Sequence, residues 1–178
     1  NLHTALGLWQ AGRTEDAYTL ARSALLASMF MGISPGNVGS MNYLDVHRRE
    51  AQRDFADGSG VMARTMVEGL FGLKPDALAR SLIVQPGLPA EWDHAELHHP
   101  DLSLTFRRTG AEDHWRISQS GDRFTHLQLR LPARSDQVAS VTVAGHPAEW
   151  QVAEDAVGIP TILIDTTTAD PKTMQALA

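Results

Sequence analysis

VEGLFGLKPDALARSLIVQPGLPAEW (Val67–Trp92) decides the fold, because the hydrophobic period changes inside it. Up to Phe71 the apolar residues Val61, Met62, Ala63, Met66, Val67, Leu70 and Phe71 follow helical spacing. They predict a helix over 59–71, closed by Gly72 and Pro75. Their spread round most of the circumference predicts a helix buried on most sides, as an inner helix of a larger array is. From Lys74–Arg80 onward the pattern becomes short β-runs between turn residues.

Working outward toward the N-terminus, two further helices are predicted. The first covers residues 1–11 and stops at Gly12, a C-terminal glycine. Thr14 is a suitable N-cap for the second, with Glu15 and Asp16 favouring its positive end. Ala17, Leu20, Ala21, Ala24, Leu25 and Ser28 form its apolar stripe, which ends near Met31–Gly32. Toward the C-terminus, strands are predicted over 81–85, 95–98, 102–107, 115–119, 125–131, 138–144, 149–152 and 161–165. Gly145-His146-Pro147 reads as a tight turn, and the polar tail from Thr166 as frayed. Strands at about ten-residue spacing fit an antiparallel sandwich. The expected fold is therefore α+β, with a boundary at 75/76.

Between the second and third helices lies SPGNVGSMNYLDVHRREAQRDFADGSG (Ser34–Gly60), long for a helix–helix connection. Long loops tend to carry function. Glu50, Asp54 and Asp57 are its candidate catalytic carboxylates. Asn42, Tyr43, Asp45, His47, Arg48 and Arg53 are candidate contacts to a polar substrate such as a sugar. Glycoside hydrolysis needs two carboxyl groups flanking the bond, one protonated and one ionised. Arginines beside them can hold a carboxylate ionised or bind hydroxyls. The competing reading is that an aspartate caps the third helix and the arginines make structural ion pairs.

The chain has 178 residues, no cysteine and a formal net charge of −6. Disulfides, thiolate catalysis and Cys-ligated metals are excluded. Residues 1–75 are balanced in charge, whereas residues 76–178 are acidic. Nucleic acid and an anionic membrane surface need basic patches, so neither is an expected partner. No apolar run is long enough to span a bilayer. His94, Glu96, His98 and His99 resemble a metal set only weakly, and neither a metal nor a cofactor is expected. The four tryptophans, Trp9, Trp92, Trp115 and Trp150, are read mainly as core. The chain opens on Asn1, without an initiator Met and inside a helical pattern, which reads as a fragment or processed product.

Two stretches resemble known families. AGRTEDAYTLARSAL (Ala11–Leu25) is similar to the turn of a tetratricopeptide-type hairpin, although no second copy follows at the repeat's spacing. RDFADGSGVMARTMVEGLFGLKPDAL (Arg53–Leu78), followed by LIVQPGLPAEWDHAELHHPDLSLTFRR (Leu82–Arg108), resembles the C-terminal end of bacterial six-hairpin (α/α)6 glycosidases of the α-L-rhamnosidase-like kind. VTVAGHPAEW (Val141–Trp150) and GIPTILID (Gly158–Asp165) resemble the last strands of their sandwich. The resemblance implies the last helices of an (α/α)6 toroid over 1–75 and a C-terminal β-sandwich over 76–178. It also implies that 34–60 borders the cleft of a glycoside hydrolase acting on a polysaccharide or oligosaccharide. The implied partners are the carbohydrate and the remaining N-terminal part of the enzyme, or a second chain carrying it. Alone the chain would be inactive. For the parent enzyme a periplasmic or secreted location is expected. The alternative is a non-catalytic carbohydrate-binding or structural sandwich with packing helices.

Overall fold

The computed structural model describes residues 1–30, 43–45, 50–52, 57–134, 137–167 and 173–177, with side chains over 1–27, 59–134 and 137–165. The chain forms two compact units, Asn1–Leu70 and Phe71–Ala178.

The first unit begins with α1 (Leu2–Gln10) and α2 (Thr14–Phe30). Gly12 ends α1 in a left-handed conformation, φ 70°. Its N–H donates to Trp9 C=O at 3.0 Å, and Arg13 N–H donates to Leu8 C=O at 2.9 Å. These two bonds satisfy carbonyls that the helix end leaves open. Ala5, Leu6 and Trp9 of α1 are buried, as are Ala17 and Ala21 of α2. Alanines at this seam let the two helices approach closely.

Within the segment read as a loop, β1 (Tyr43–Asp45) and β2 (Glu50–Gln52) pair antiparallel. Next comes α3 (Asp57–Arg64), which widens into a π-helical segment, Thr65–Leu70. The sequence reading expected one regular helix here. The widening begins at Thr65, which is fully buried and whose hydroxyl donates to Val61 C=O at 2.6 Å. Such a back-bond competes with the regular ladder and bends helices. Gly69, in the same segment, lies against the face of Trp9: a β-carbon there would stand 2.4 Å from Trp9 Cε3. Val61, Met62, Met66 and Val67 are only half-buried, so this helix is more open than its composition predicts.

The second unit contains two sheets. Its strands are β3 (Leu73–Asp76), β4 (Ser81–Val84), β5 (His94–His98), β6 (Leu102–Thr109), β7 (Glu112–Gln119), β8 (His126–Pro132), β9 (Thr142–Val143), β10 (His146–Pro147), β11 (Gln151–Val152), β12 (Thr161–Thr167) and β13 (Thr173–Leu177). One sheet has the order β10-β9-β13-β7-β6-β5, the other β11-β12-β8-β4-β3. The α+β class and the sandwich are as expected. Four features differ from the expectation. First, β4 and β8 run parallel, because the β5–β6–β7 meander in the other sheet separates them. Second, the tail supplies β13, which pairs with both β7 and β9. Third, β3 lies ahead of the first predicted strand, at residues read as closing the third helix. Fourth, the turn at Gly145 is flanked by strand residues His146–Pro147.

Alternation puts the core on one face of each sheet. Leu127, Leu129 and Leu131 of β8 are buried with Leu82 and Val84 of β4 and Ile162 and Ile164 of β12. On the other sheet Leu104, Phe106, Trp115 and Ile117 are buried, and the rings of Phe106 and Trp115 lie 4.4 Å apart. Gly72 opens this unit with φ +65°, and a β-carbon on it would stand 1.8 Å from Gln85 C=O. Only glycine permits that approach.

Candidate functional site

Of the candidate residues, Tyr43, Asp45 and Glu50 lie on the β1–β2 hairpin. Its register sets Asp45 opposite Glu50 and Tyr43 opposite Gln52. Asp57 is the first residue of α3. Asn42, His47, Arg48, Arg53 and Asp54 lie outside the described residues. The register thus brings one candidate carboxylate residue, Glu50, beside one candidate contact residue, Asp45.

The histidine-bearing segment is polar and exposed. On β5 the residues His94, Glu96 and His98 occupy the exposed positions of the alternation, with Ala95 buried between them. Glu96 stands 3.7 Å from His98 Nε2 and 3.6 Å from Arg107. His94 Nδ1 lies 2.6 Å from an oxygen of Asp93. That hydrogen bond, with the opposing effect of burial and the added attraction of His94 and Arg108, holds the Asp93 carboxyl below its ordinary range. Among the described residues, no group of three or more His, Asp or Glu is arranged to hold a metal ion. No described helix is long and apolar enough to cross a membrane.

A network that the sequence reading missed fixes the Ala90–Trp92 segment before β5. Arg108 Nε donates to buried Asp113 at 2.8 Å, and its Nη2 to the other oxygen at 3.2 Å. Arg108 Nη1 donates to Ala90 C=O at 2.7 Å and Trp92 C=O at 3.2 Å. Arg134 stands 3.2 Å from the same carboxylate. The guanidinium also sits 5.3 Å from the centre of the Phe106 ring. A forked donor with five N–H groups suits this task, tying a hairpin, a turn and a ring together. The signal was available: Gly110-Ala111 as a two-residue turn sets Arg108 opposite Asp113.

Of the tryptophans, Trp9 and Trp115 are buried, Trp92 is half-buried and Trp150 is exposed.

Comparison with solved structures finds an α-L-rhamnosidase from Dictyoglumus thermophilum at TM-score 0.50 and 12% identity, covering 67% of this chain and 13% of that one. A Streptomyces avermitilis α-L-rhamnosidase complexed with L-rhamnose aligns at TM-score 0.47 and 17% identity, covering 69% of this chain and 11% of that one. The chain thus spans a small part of the length of these enzymes. The first likeness is one of fold. No protein-family model and no curated protein matches the sequence.

Proposed function

We propose that this chain is part of a glycoside hydrolase of the α-L-rhamnosidase-like kind, with residues 34–60 bordering its substrate cleft. The observation that carries the reading is the fold likeness to the Dictyoglumus enzyme across 67% of the chain. In this reading Asn42, Tyr43, Asp45, His47, Arg48 and Arg53 bind sugar hydroxyls. One of Glu50, Asp54 and Asp57 supplies a carboxyl group at the scissile bond. Hydrolysis needs a second carboxyl group on the other side of that bond. It comes from the remaining N-terminal part of the enzyme or from a second chain.

The test has two steps. Isotope-labelled chain is titrated with L-rhamnose and a panel of neutral monosaccharides, following amide shifts. Perturbations at residues 42–57 for one sugar support the reading; none at any residue up to about 100 mM sugar, with the parent enzyme's preceding portion present as well as absent, overturns it. Aryl-glycoside turnover is then measured on the chain alone and with the parent enzyme's preceding portion. Turnover only in the second mixture is expected. A purely carbohydrate-binding sandwich would present a row of exposed aromatic residues on a sheet face. Trp150 alone of the four tryptophans is exposed, which favours the enzyme-part reading.

A further inference from the structure

Among the described residues, β11 is the outermost strand of its sheet and pairs with β12 alone. Ala153 N–H donates to Thr161 C=O at 2.9 Å, so the antiparallel alternation turns the N–H and C=O of Val152 away from β12. Among the described residues, the backbone at Val152 is therefore an open sheet edge.

The side chains at this edge are apolar. Val152 stands opposite Ile162 and so shares its face of the sheet. Ile162 is 3% exposed and belongs to the core, whereas Val152 is 64% exposed. The core-facing side of the sheet thus runs on past what the core covers. Trp150 just before the strand, and Val157 and Ile159 just after it, are exposed as well. The loop carrying Val157 and Ile159 is held in place: Arg130 bonds Asp155 at 2.6 Å, and Ala133 N–H donates to Pro160 C=O at 2.7 Å. These apolar groups are presented by an ordered surface.

The sequence next to the strand is acidic: from residue 137 to residue 165 the chain contains Glu149, Glu154, Asp155 and Asp165, with no lysine or arginine, and Arg130 takes up Asp155. Glu149 and Glu154 flank the strand and are exposed. An open edge, an apolar strip and an acidic rim together define what fits.

We infer that this edge receives an extended segment of another polypeptide, alternating apolar and basic residues, which adds to β11 as a further strand. Main-chain bonds to Val152 set the register, apolar side chains cover Trp150 and Val152, and lysines or arginines meet Glu149 and Glu154. A second copy of this chain fits worse, because its own β11 brings acid against acid. The inference does not depend on the hydrolase reading.

The test uses the full chain, isotope-labelled, at low salt. The ligand is a capped nine-residue peptide of alternating lysine and valine, compared with the same peptide carrying glutamate for lysine. Expected are amide shifts confined to residues 150–165 and binding about tenfold weaker after Glu149→Lys with Glu154→Lys, as loss of two surface pairs gives. Val152→Pro removes the outward N–H without touching the bonds to β12 and abolishes binding. Should Val152→Pro unfold the sheet, the charge-reversal variant decides. Equal binding of the acidic peptide, shifts elsewhere on the surface, no shifts at millimolar peptide, or self-association mapping to this edge would each overturn the inference.

Discussion

Replacing Gly69 by alanine tests how the helical unit is held together. The added methyl would meet Trp9 at 2.4 Å from Cε3, 2.9 Å from Cδ2 and 3.1 Å from Cζ3. Carbon atoms settle at about 3.5 Å or more, so the shortfall at the nearest atom is about 1.1 Å. Trp9 is buried and its indole cannot bend, so either the ring or the π-helical segment must move. Overpacking of this kind costs roughly 1–3 kcal/mol, offset by about 0.4–1 kcal/mol from the stiffer unfolded chain. The expected net effect of Gly69→Ala is a loss of about 1–2 kcal/mol. Gly7 and Gly60 are matched controls, since a β-carbon on either meets nothing within 4 Å. Gly7→Ala and Gly60→Ala should each gain about 0.5–1 kcal/mol. Trp9 is the one tryptophan in residues 1–70, so its indole N–H resonance reports on this unit during a urea titration. A Gly69→Ala midpoint equal to that of the controls, with an unmoved Trp9 resonance, would refute the packing argument.

Arg108→Met should lower the stability of the sandwich unit by about 3 kcal/mol, because it leaves Asp113 buried and short of its forked partner. Arg108→Lys should recover less than half of that loss, read from the thermal melt of the near-ultraviolet signal. Asp76 accepts hydrogen bonds from the N–H groups of Leu78 and Ala79, both at 3.0 Å. Asp76→Ala should cost about 1 kcal/mol by chemical denaturation, while Asp76→Asn stays near wild type. Leu78 in the same turn is 99% exposed, so Leu78→Asp should change stability by less than about 0.5 kcal/mol. The Asp93 carboxyl titrates below its ordinary value of 3.8. A lowered folded-state value means its contribution is complete above the unfolded-state pKa and lost as pH falls through the folded one. A carbon-detected titration should place its midpoint below 3.8 and return it toward 3.8 in His94→Ala; an unchanged midpoint would break the assigned cause.

The helical hairpin was legible because its signals are local: Gly12 ends one helix, and an alanine stripe with acidic residues in its first turn begins the next. The inner strands were legible because Leu127, Leu129 and Leu131 alternate with polar neighbours. What escaped reading depends on partners far along the chain. Thr173–Leu177 has no strong strand pattern, and its pairing with β7 and β9 makes it a strand. In the sequence Pro75 reads as a residue that closes the third helix, and no strand is predicted at β3. Yet Gln85 N–H donates to Gly72 C=O at 2.9 Å, and alternation from that pair gives Pro75 a position that needs no N–H. The π-helical widening begins at Thr65, whose hydroxyl bond to Val61 C=O no hydrophobic pattern announces. In the candidate site, residue types pointed to sugar chemistry, but the pairing of Asp45 with Glu50 follows from a hairpin register that no local pattern announces.

The parallel pairing of β4 with β8 sets a delay in biosynthesis. Ser81 aligns with His126, so β4 waits for 45 further residues before its neighbour exists. At ribosomal speeds of about 5–20 residues per second the wait is roughly 2–9 s. Until then Leu82 and Val84 belong to a bare β3–β4 hairpin with one apolar face uncovered, a species prone to pair with the wrong strand. Pro75 on its outer edge blunts that hazard from one side. Slower translation between β4 and β8 lengthens the exposure, so recovery of soluble protein should depend on the speed at which residues 85–125 are made.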